Sequence, residues 1–253
     1  MPLPPPDHFQ GKTVIEHLQE TRQKGAWAAA EIHGTELSGS LGAGTDATRE
    51  TAIAILLIGL IFLFSPLDPS YFSFFILLFS AGWLIWKTGR SAILAWARLE
   101  RLHRLIEEER WEIQHNRQQE KEELTGLYAS KGFQGKLLEQ VIDVLMADDN
   151  RCLRVMLEEE MGLTLETYDH PLKQALGAAL GTACTAGLAL VGWLGGGFLG
   201  LFAATGIALV SGTWIVCRVE RNRILSSLIW IVAIVALVIG LVYGLSLKLF
   251  TIP

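Results

Sequence analysis

Five long apolar runs divide the chain: residues 51–67, 71–86, 175–194, 198–217 and 224–247. A helix needs about 20 apolar residues to cross roughly 30 Å of hydrocarbon. The first two runs stand at the lower limit of that length, and the last three reach it. Pro66, Asp68, Pro69 and Ser70 leave room only for a tight turn between the first two, which predicts a helical hairpin. The helical character of the second run continues through residues 92–97. Gly195, Gly196 and Gly197 predict the turn between the third and fourth runs. Arg218, Arg221 and Arg223 separate the fourth from the fifth.

Between the second and third runs lies a polar block, residues 98–171. Leu124–Leu127, Leu137, Leu138, Val141, Ile142 and Leu145 supply apolar faces for a small helical domain. A further helix is predicted over about residues 149–161. The expected fold is therefore all-α: a five-span transmembrane helical bundle with a cytoplasmic three-helix domain inserted between spans two and three. Its parts are residues 1–47, 48–97, 98–171 and 172–253. Before the first run, Val14, Ile15, Leu18, Gly25, Ala29 and Ile32 recur at helical spacing. They predict an amphipathic helix, either lying at the membrane interface or docked on the protein's own surface. The Gly- and Ser-rich residues 38–45 read as a loop.

Basic residues in short loops set the orientation. Lys12, Arg22, Lys24 and Arg49 precede the first run. Lys87, Arg90, Arg98, Arg101 and Arg104 follow the second, and three arginines follow the fourth. The two other connections carry neither Lys nor Arg. All the basic regions share one side if the N-terminus is cytoplasmic, which puts the C-terminus on the opposite side. Gly177 with Gly181, and Gly240 with Gly244, have the GxxxG spacing that lets helix backbones approach in lipid, within one bundle or between two copies.

Composition narrows the function classes. The 253 residues are 51% hydrophobic and carry a net charge of −5. The mean hydropathy of +0.36 is high for a soluble protein. No basic, aromatic-rich patch suggests a nucleic-acid partner. Cys152, Cys184 and Cys217 are far apart and odd in number, so they form no disulfide framework and read as buried thiols. No nucleophile–base pairing, phosphate loop or HExxH marks an enzyme. The expected surroundings are the lipid bilayer and metal ions.

The metal reading comes from the acids of the polar block. On one continuous helix Glu109, Glu112, Glu120 and Glu123 fall within about 80° of one another, a stripe about 21 Å long. Acids at i, i+3 repel unless a cation lies between them, so the stripe suits one divalent ion near each end. A solvated charged face is the alternative. Met156 and Glu160 share a face of the later helix, and a thioether beside carboxylates favours Fe²⁺ over Mg²⁺ or Ca²⁺. Met156 taken alone reads as core filling. Mn²⁺ and Zn²⁺ are further candidate ions. Glu31, His33 and Glu36 form a weaker ligand set, because Glu31 and Glu36 point about 140° apart on a helix.

These features together resemble the vacuolar iron transporter family. The resemblance rests on five spans with a polar helical domain after the second, on Leu127-Tyr128-Ala129-Ser130-Lys131-Gly132-Phe133, and on Met156–Leu163. It covers about residues 48–250. The family's two acidic pairs, spaced E-x2-E-x7-E-x2-E, fall on Glu109, Glu112, Glu120 and Glu123. Its third-helix methionine and glutamate fall on Met156 and Glu160. The resemblance implies a homodimeric carrier of Fe²⁺, or Mn²⁺, that moves metal out of the cytoplasm in exchange for protons. It also places the family's pore residues at Leu57, Phe79 and Lys87, none of them an acid. No Asp or Glu lies inside the five runs; Asp46 and Glu50 stand only at the expected pore entrance. The alternative function is a non-transporting membrane protein whose cytoplasmic domain binds metal as a sensor, store or docking module.

Overall fold

The computed structural model describes residues 12–14, 16–20, 39–163 and 170–251. The described chain is helical throughout, and no strand occurs among the described residues. In order, the helices are α1 (Gly39–Phe64), α2 (Phe72–His115), α3 (Arg117–Ser130), α4 (Gly135–Met146), α5 (Asp149–Val155), α6 (Pro171–Val219) and α7 (Ile224–Thr251). A 3-10 turn, Pro69–Tyr71, leads into α2, and a π-helical turn, Met156–Glu160, follows α5. Val14 and residues 16–20 form a helical turn near the N-terminus.

Four of these helices, α1, α2, α6 and α7, are long and apolar enough to cross a membrane. The chain is a multi-pass membrane protein by that measure. The third and fourth apolar runs both lie in α6. The backbone leaves helical geometry there at Gly196 (φ −144°, ψ 16°) and Gly197 (φ 58°, ψ −142°). Gly197 sits in a conformation that a Cβ makes costly. A Cβ on Gly200 would lie 2.0 Å from the Gly192 carbonyl oxygen. Eight residues of straight helix span about 12 Å. The two limbs of α6, 171–195 and 198–219, therefore fold back on each other.

The chain forms two compact units. One contains residues 31–95 and 169–253. Its helix ends have local causes. Ser65 donates from both N and Oγ to the Phe62 carbonyl, and two prolines follow. Asp68 caps the 3-10 turn by accepting from Ser70 N at 2.9 Å. His170 Nδ1 accepts from Leu172 N, with Pro171 as the first helical residue of α6. Phe72 packs against Trp193 and Phe198, with ring centroids 4.6 and 5.4 Å apart. Trp193 Nε1 donates to Ser73 Oγ at 2.8 Å, satisfying the polar end of a largely apolar ring.

Residues 39–45, expected as a loop, are the first two turns of α1. Their glycines serve packing: a Cβ on Gly177 would lie 1.9 Å from Ser40 O, and one on Gly181 would lie 2.1 Å from Gly44 O. The first GxxxG pair is thus a contact inside the chain, between α1 and α6. Gly240 and Gly244 have nothing within 4 Å of an added Cβ.

The other unit contains residues 1–30 and 96–168. Its core gathers Ile113, Leu124, Leu127, Ile142, Met156 and Leu157, all fully buried. Each such side chain contributes about 1.5–3 kcal/mol by leaving water. Helix α3 ends in a reversal where Phe133 N donates to Tyr128 O and Gly132 N to Ala129 O. Those bonds are the local reason for the Tyr128–Phe133 sequence, whose two rings also meet edge to face at 5.6 Å.

A buried glutamate cluster as the candidate metal site

Helix α2 does not run on into α3. Asn116 leaves helical geometry (φ −119°, ψ 32°), and Arg117 begins a new helix. The continuous stripe expected from the sequence is corrected at this point. Eleven residues of straight helix would hold Glu109 and Glu120 about 16 Å apart. Instead their carboxyl groups are close enough to act on each other. The sequence pattern predicted two ion positions at opposite ends of a rod. The break at Asn116 draws both acidic pairs into one group.

Glu160 joins that group from the π turn. Met161 N donates to Met156 O at 3.2 Å, one residue further along than in an α-helix, and Leu163 N donates to Leu157 O at 2.9 Å. Such π segments recur at functional sites because the widened turn re-aims a side chain. Met156 and Glu160 are both buried. Glu109, Glu120, Glu123 and Glu160 are each at most 3% exposed, and Glu112 is half-buried. Glu109 Oε1 is buried with no hydrogen-bond donor among the described residues.

Four buried carboxyl groups side by side are costly when ionised. Burial is the largest cause that raises the Glu109 carboxyl well above the usual carboxylate range, followed by the charges of Glu160, Glu112 and Glu123. Burial, then Glu109, Glu123, Glu112 and Glu160, push Glu120 up to about 10. Every charge acting on these two groups is another carboxylate of the cluster. The Cys152 thiol is also pushed up, to about 12, by burial and then by Glu120 and Glu109. It stays a thiol, packed 3.6 Å from Met146 Sδ. The cluster is thus a set of oxygen donors near the Cys152 thiol, and a divalent cation is the species that would relieve both burial and repulsion.

A pH dependence follows from the direction of these shifts. A carboxyl raised in the folded state contributes stability that is complete below its unfolded value near 4.5 and is lost as pH rises toward the folded value. With chelator present, the melting temperature of the protein in detergent is expected to fall steadily from about pH 5 to pH 9. The slope is up to about 1.4 kcal/mol per pH unit for each proton retained. A melting temperature that rises over that range would remove the buried, protonated cluster.

The structure adds one residue that sequence reasoning missed. His17 Nε2 lies 3.2 Å from Glu123 Oε1. Donor atoms of His17, Glu123 and Glu160 all lie within 4.8 Å of one another. The available signal was local. Thr13 and Glu16 form a capping box, with Thr13 N donating to Glu16 Oε2 at 2.9 Å and Glu16 N to Thr13 Oγ1 at 3.4 Å. That box starts a helical turn in which His17 falls three residues after Val14, on the apolar side.

The other sequence candidates lie elsewhere. Glu31, His33 and Glu36 fall outside the described residues. Asp46 is hydrogen-bonded by Arg49 one turn on. Glu50 accepts from the buried Lys87 Nζ at 2.5 Å. The two residues named for a pore entrance are therefore both held by basic side chains.

A family model described as VIT family matches residues 95–247, more than half of the chain. No curated protein and no solved structure matches it.

Proposed function

We propose a function from one premise: this chain belongs to the VIT family. It moves divalent metal ions out of the cytoplasm, with Fe²⁺ as the first candidate and Mn²⁺ or Zn²⁺ as the others. The glutamate cluster captures the ion before it crosses. The observation that carries this reading is the cluster itself. Glu109, Glu112, Glu120, Glu123 and Glu160 act on one another as charges, with burial, in a helical unit attached to apolar helices. Such a group is unfavourable as an empty anion and favourable around a cation. Met156, buried in the same unit, supplies a soft neighbour suited to Fe²⁺.

The carrier would cross the membrane five times, with α1, the apolar part of α2, the two limbs of α6, and α7. The basic residues then place the N-terminus and the cluster on the cytoplasmic side and the C-terminus opposite. Two copies would form the working carrier, as the family resemblance implies. Beyond Asp46 and Glu50 near the start of α1, no acid lies within the crossings, so hydroxyls such as Ser80, Thr182, Thr185 and Thr205, with backbone carbonyls, would have to line the rest of the path.

One set of observations favours a second reading, a membrane protein that binds metal without carrying it. Lys87 is buried, and a cation there opposes the passage of another. Glu50, near the start of α1, is taken up by that ammonium group at 2.5 Å. Reconstitution separates the readings. Proteoliposomes loaded with a metal-quenched dye are expected to take up Mn²⁺ or Fe²⁺ several-fold faster than protein-free vesicles. Replacing Glu120 with Gln should return uptake toward background. Saturable metal binding in detergent with no uptake above background would replace the carrier with the sensor or store.

A further inference from the structure

We propose that His17 is a ligand of the captured ion, so that the N-terminal turn closes the glutamate site with a nitrogen donor; this rests on the capture reading above. Two observations carry it. His17 Nε2 and Glu123 Oε1 are 3.2 Å apart. Two ligands at right angles on an ion with bonds of about 2.1 Å are separated by about 3 Å, so this pair already has the spacing of neighbouring ligands. Glu160 brings a third donor atom within 4.8 Å of both.

An ordinary hydrogen bond between His17 and Glu123 would account for the first distance alone. It does not account for Glu160, a carboxylate 1% exposed that reaches the same space from a different element. Nor does it answer the buried Oε1 of Glu109, which has no donor among the described residues. One proton joins two atoms; a divalent ion joins three or more.

The turn that carries His17 is built to stay in place. Its capping box fixes the start, and Lys12 Nζ reaches Glu20 Oε2 at 2.6 Å across it. Val14 Cγ1 rests 3.0 Å from where a Cβ on Gly126 would sit. The His17 side chain is 15% exposed, so the imidazole closes the outer edge of a site whose acids are buried.

A nitrogen donor changes what the site selects. Carboxylates alone accept Mg²⁺ and Ca²⁺ readily, whereas imidazole favours first-row transition ions. His17 is therefore the residue that biases the cluster against the abundant hard cations.

The test uses the full chain in detergent, with Mn²⁺ as the probe. Pulsed electron paramagnetic resonance of bound Mn²⁺ is expected to show ¹⁴N modulation from an imidazole, and His17→Ala to abolish it. The same variant should weaken Mn²⁺ binding about tenfold or more, about 1.4 kcal/mol, and leave Mg²⁺ affinity unchanged, so that Mg²⁺ displaces Mn²⁺ more readily. His17→Gln, which keeps a polar side chain of similar reach, should also lose the modulation. Bound Mn²⁺ without ¹⁴N modulation, or modulation that survives both substitutions, overturns the assignment of His17 and leaves the capture reading standing. No Mn²⁺ binding by the unaltered protein overturns both.

Discussion

Replacing Glu120 and Glu123 together with Gln is expected to abolish divalent metal binding and to raise the melting temperature of the metal-free protein. The opposite signs follow from one cause. In the folded, metal-free protein Glu120 holds its proton up to about pH 10, because burial and four neighbouring carboxylates disfavour its charge. In the unfolded chain the same carboxyl ionises near 4.5. At pH 7.5 folding must therefore bind a proton, and that reduces stability. A glutamine has no proton to bind and close to the shape of the neutral acid. Removing the burden at one such group stabilises by on the order of 1 to 3 kcal/mol, several degrees in melting temperature. The gain should shrink as pH falls toward 5, where the unfolded carboxyl is protonated as well.

Metal binding changes the other way. An ion needs the ionised carboxylates, and Gln offers only a neutral carbonyl oxygen. Losing two anionic ligands is expected to weaken Mn²⁺ binding by a hundredfold or more, about 2.7 kcal/mol. Calorimetry and thermal melts with and without Mn²⁺ read both effects in one preparation. Unchanged affinity would show that the ion binds elsewhere. A lower metal-free melting temperature, with affinity lost, would show that the two acids support the fold rather than burden it.

The helical class and the family were legible in the sequence because both rest on features that tolerate small errors of placement. A run of 20 apolar residues spells a spanning helix whichever turn begins it. The spacing Glu109, Glu112, Glu120, Glu123 survives a bend between the pairs. What the sequence did not disclose depends on single backbone angles. Asn116 is an ordinary residue inside a helix-favouring stretch, yet its ψ of 32° ends α2 and gathers the acids into one group instead of two. The π turn at Met156–Glu160 has no signature in residue type. Residues 39–45 misled for the opposite reason. Gly and Ser signal a loop in water, but between packed helices they signal close approach. His17 was hidden because its partner, Glu123, is more than a hundred residues away.

The close approach of α1 and α6 makes Gly177→Ala the most damaging single substitution expected in the membrane unit. The added methyl carbon would lie 1.9 Å from Ser40 O and 2.7 Å from Ser40 C. Both are backbone atoms, so no side-chain rotation relieves the overlap. The helices would have to part by more than 1 Å, and the neighbouring contact of Gly181 with Gly44 O would open with them. That also disturbs Thr48 Oγ1, which lies 3.4 Å from Gly181 O. A loss of about 3 kcal/mol or more is expected, seen as a melting temperature at least 10 °C lower or as failure to recover monodisperse protein. Gly44→Ala should cost much less, because its Cβ would stand 3.1 Å from Gly177 O, a distance that a small shift accommodates. Gly240→Ala should leave the melting temperature unchanged, with nothing within 4 Å of the new methyl. The graded series separates a damaging close contact from a general sensitivity of glycines to substitution. Equal effects at Gly177 and Gly240 would mean that α1 and α6 do not meet as described. The contact matters for function through α1 itself. Asp46 and Glu50 follow Ser40 and Gly44 on the same helix, and Glu50 is the residue that holds the buried Lys87. A displaced α1 would carry Glu50 away from Lys87 and leave a buried ammonium group uncompensated, which adds to the loss.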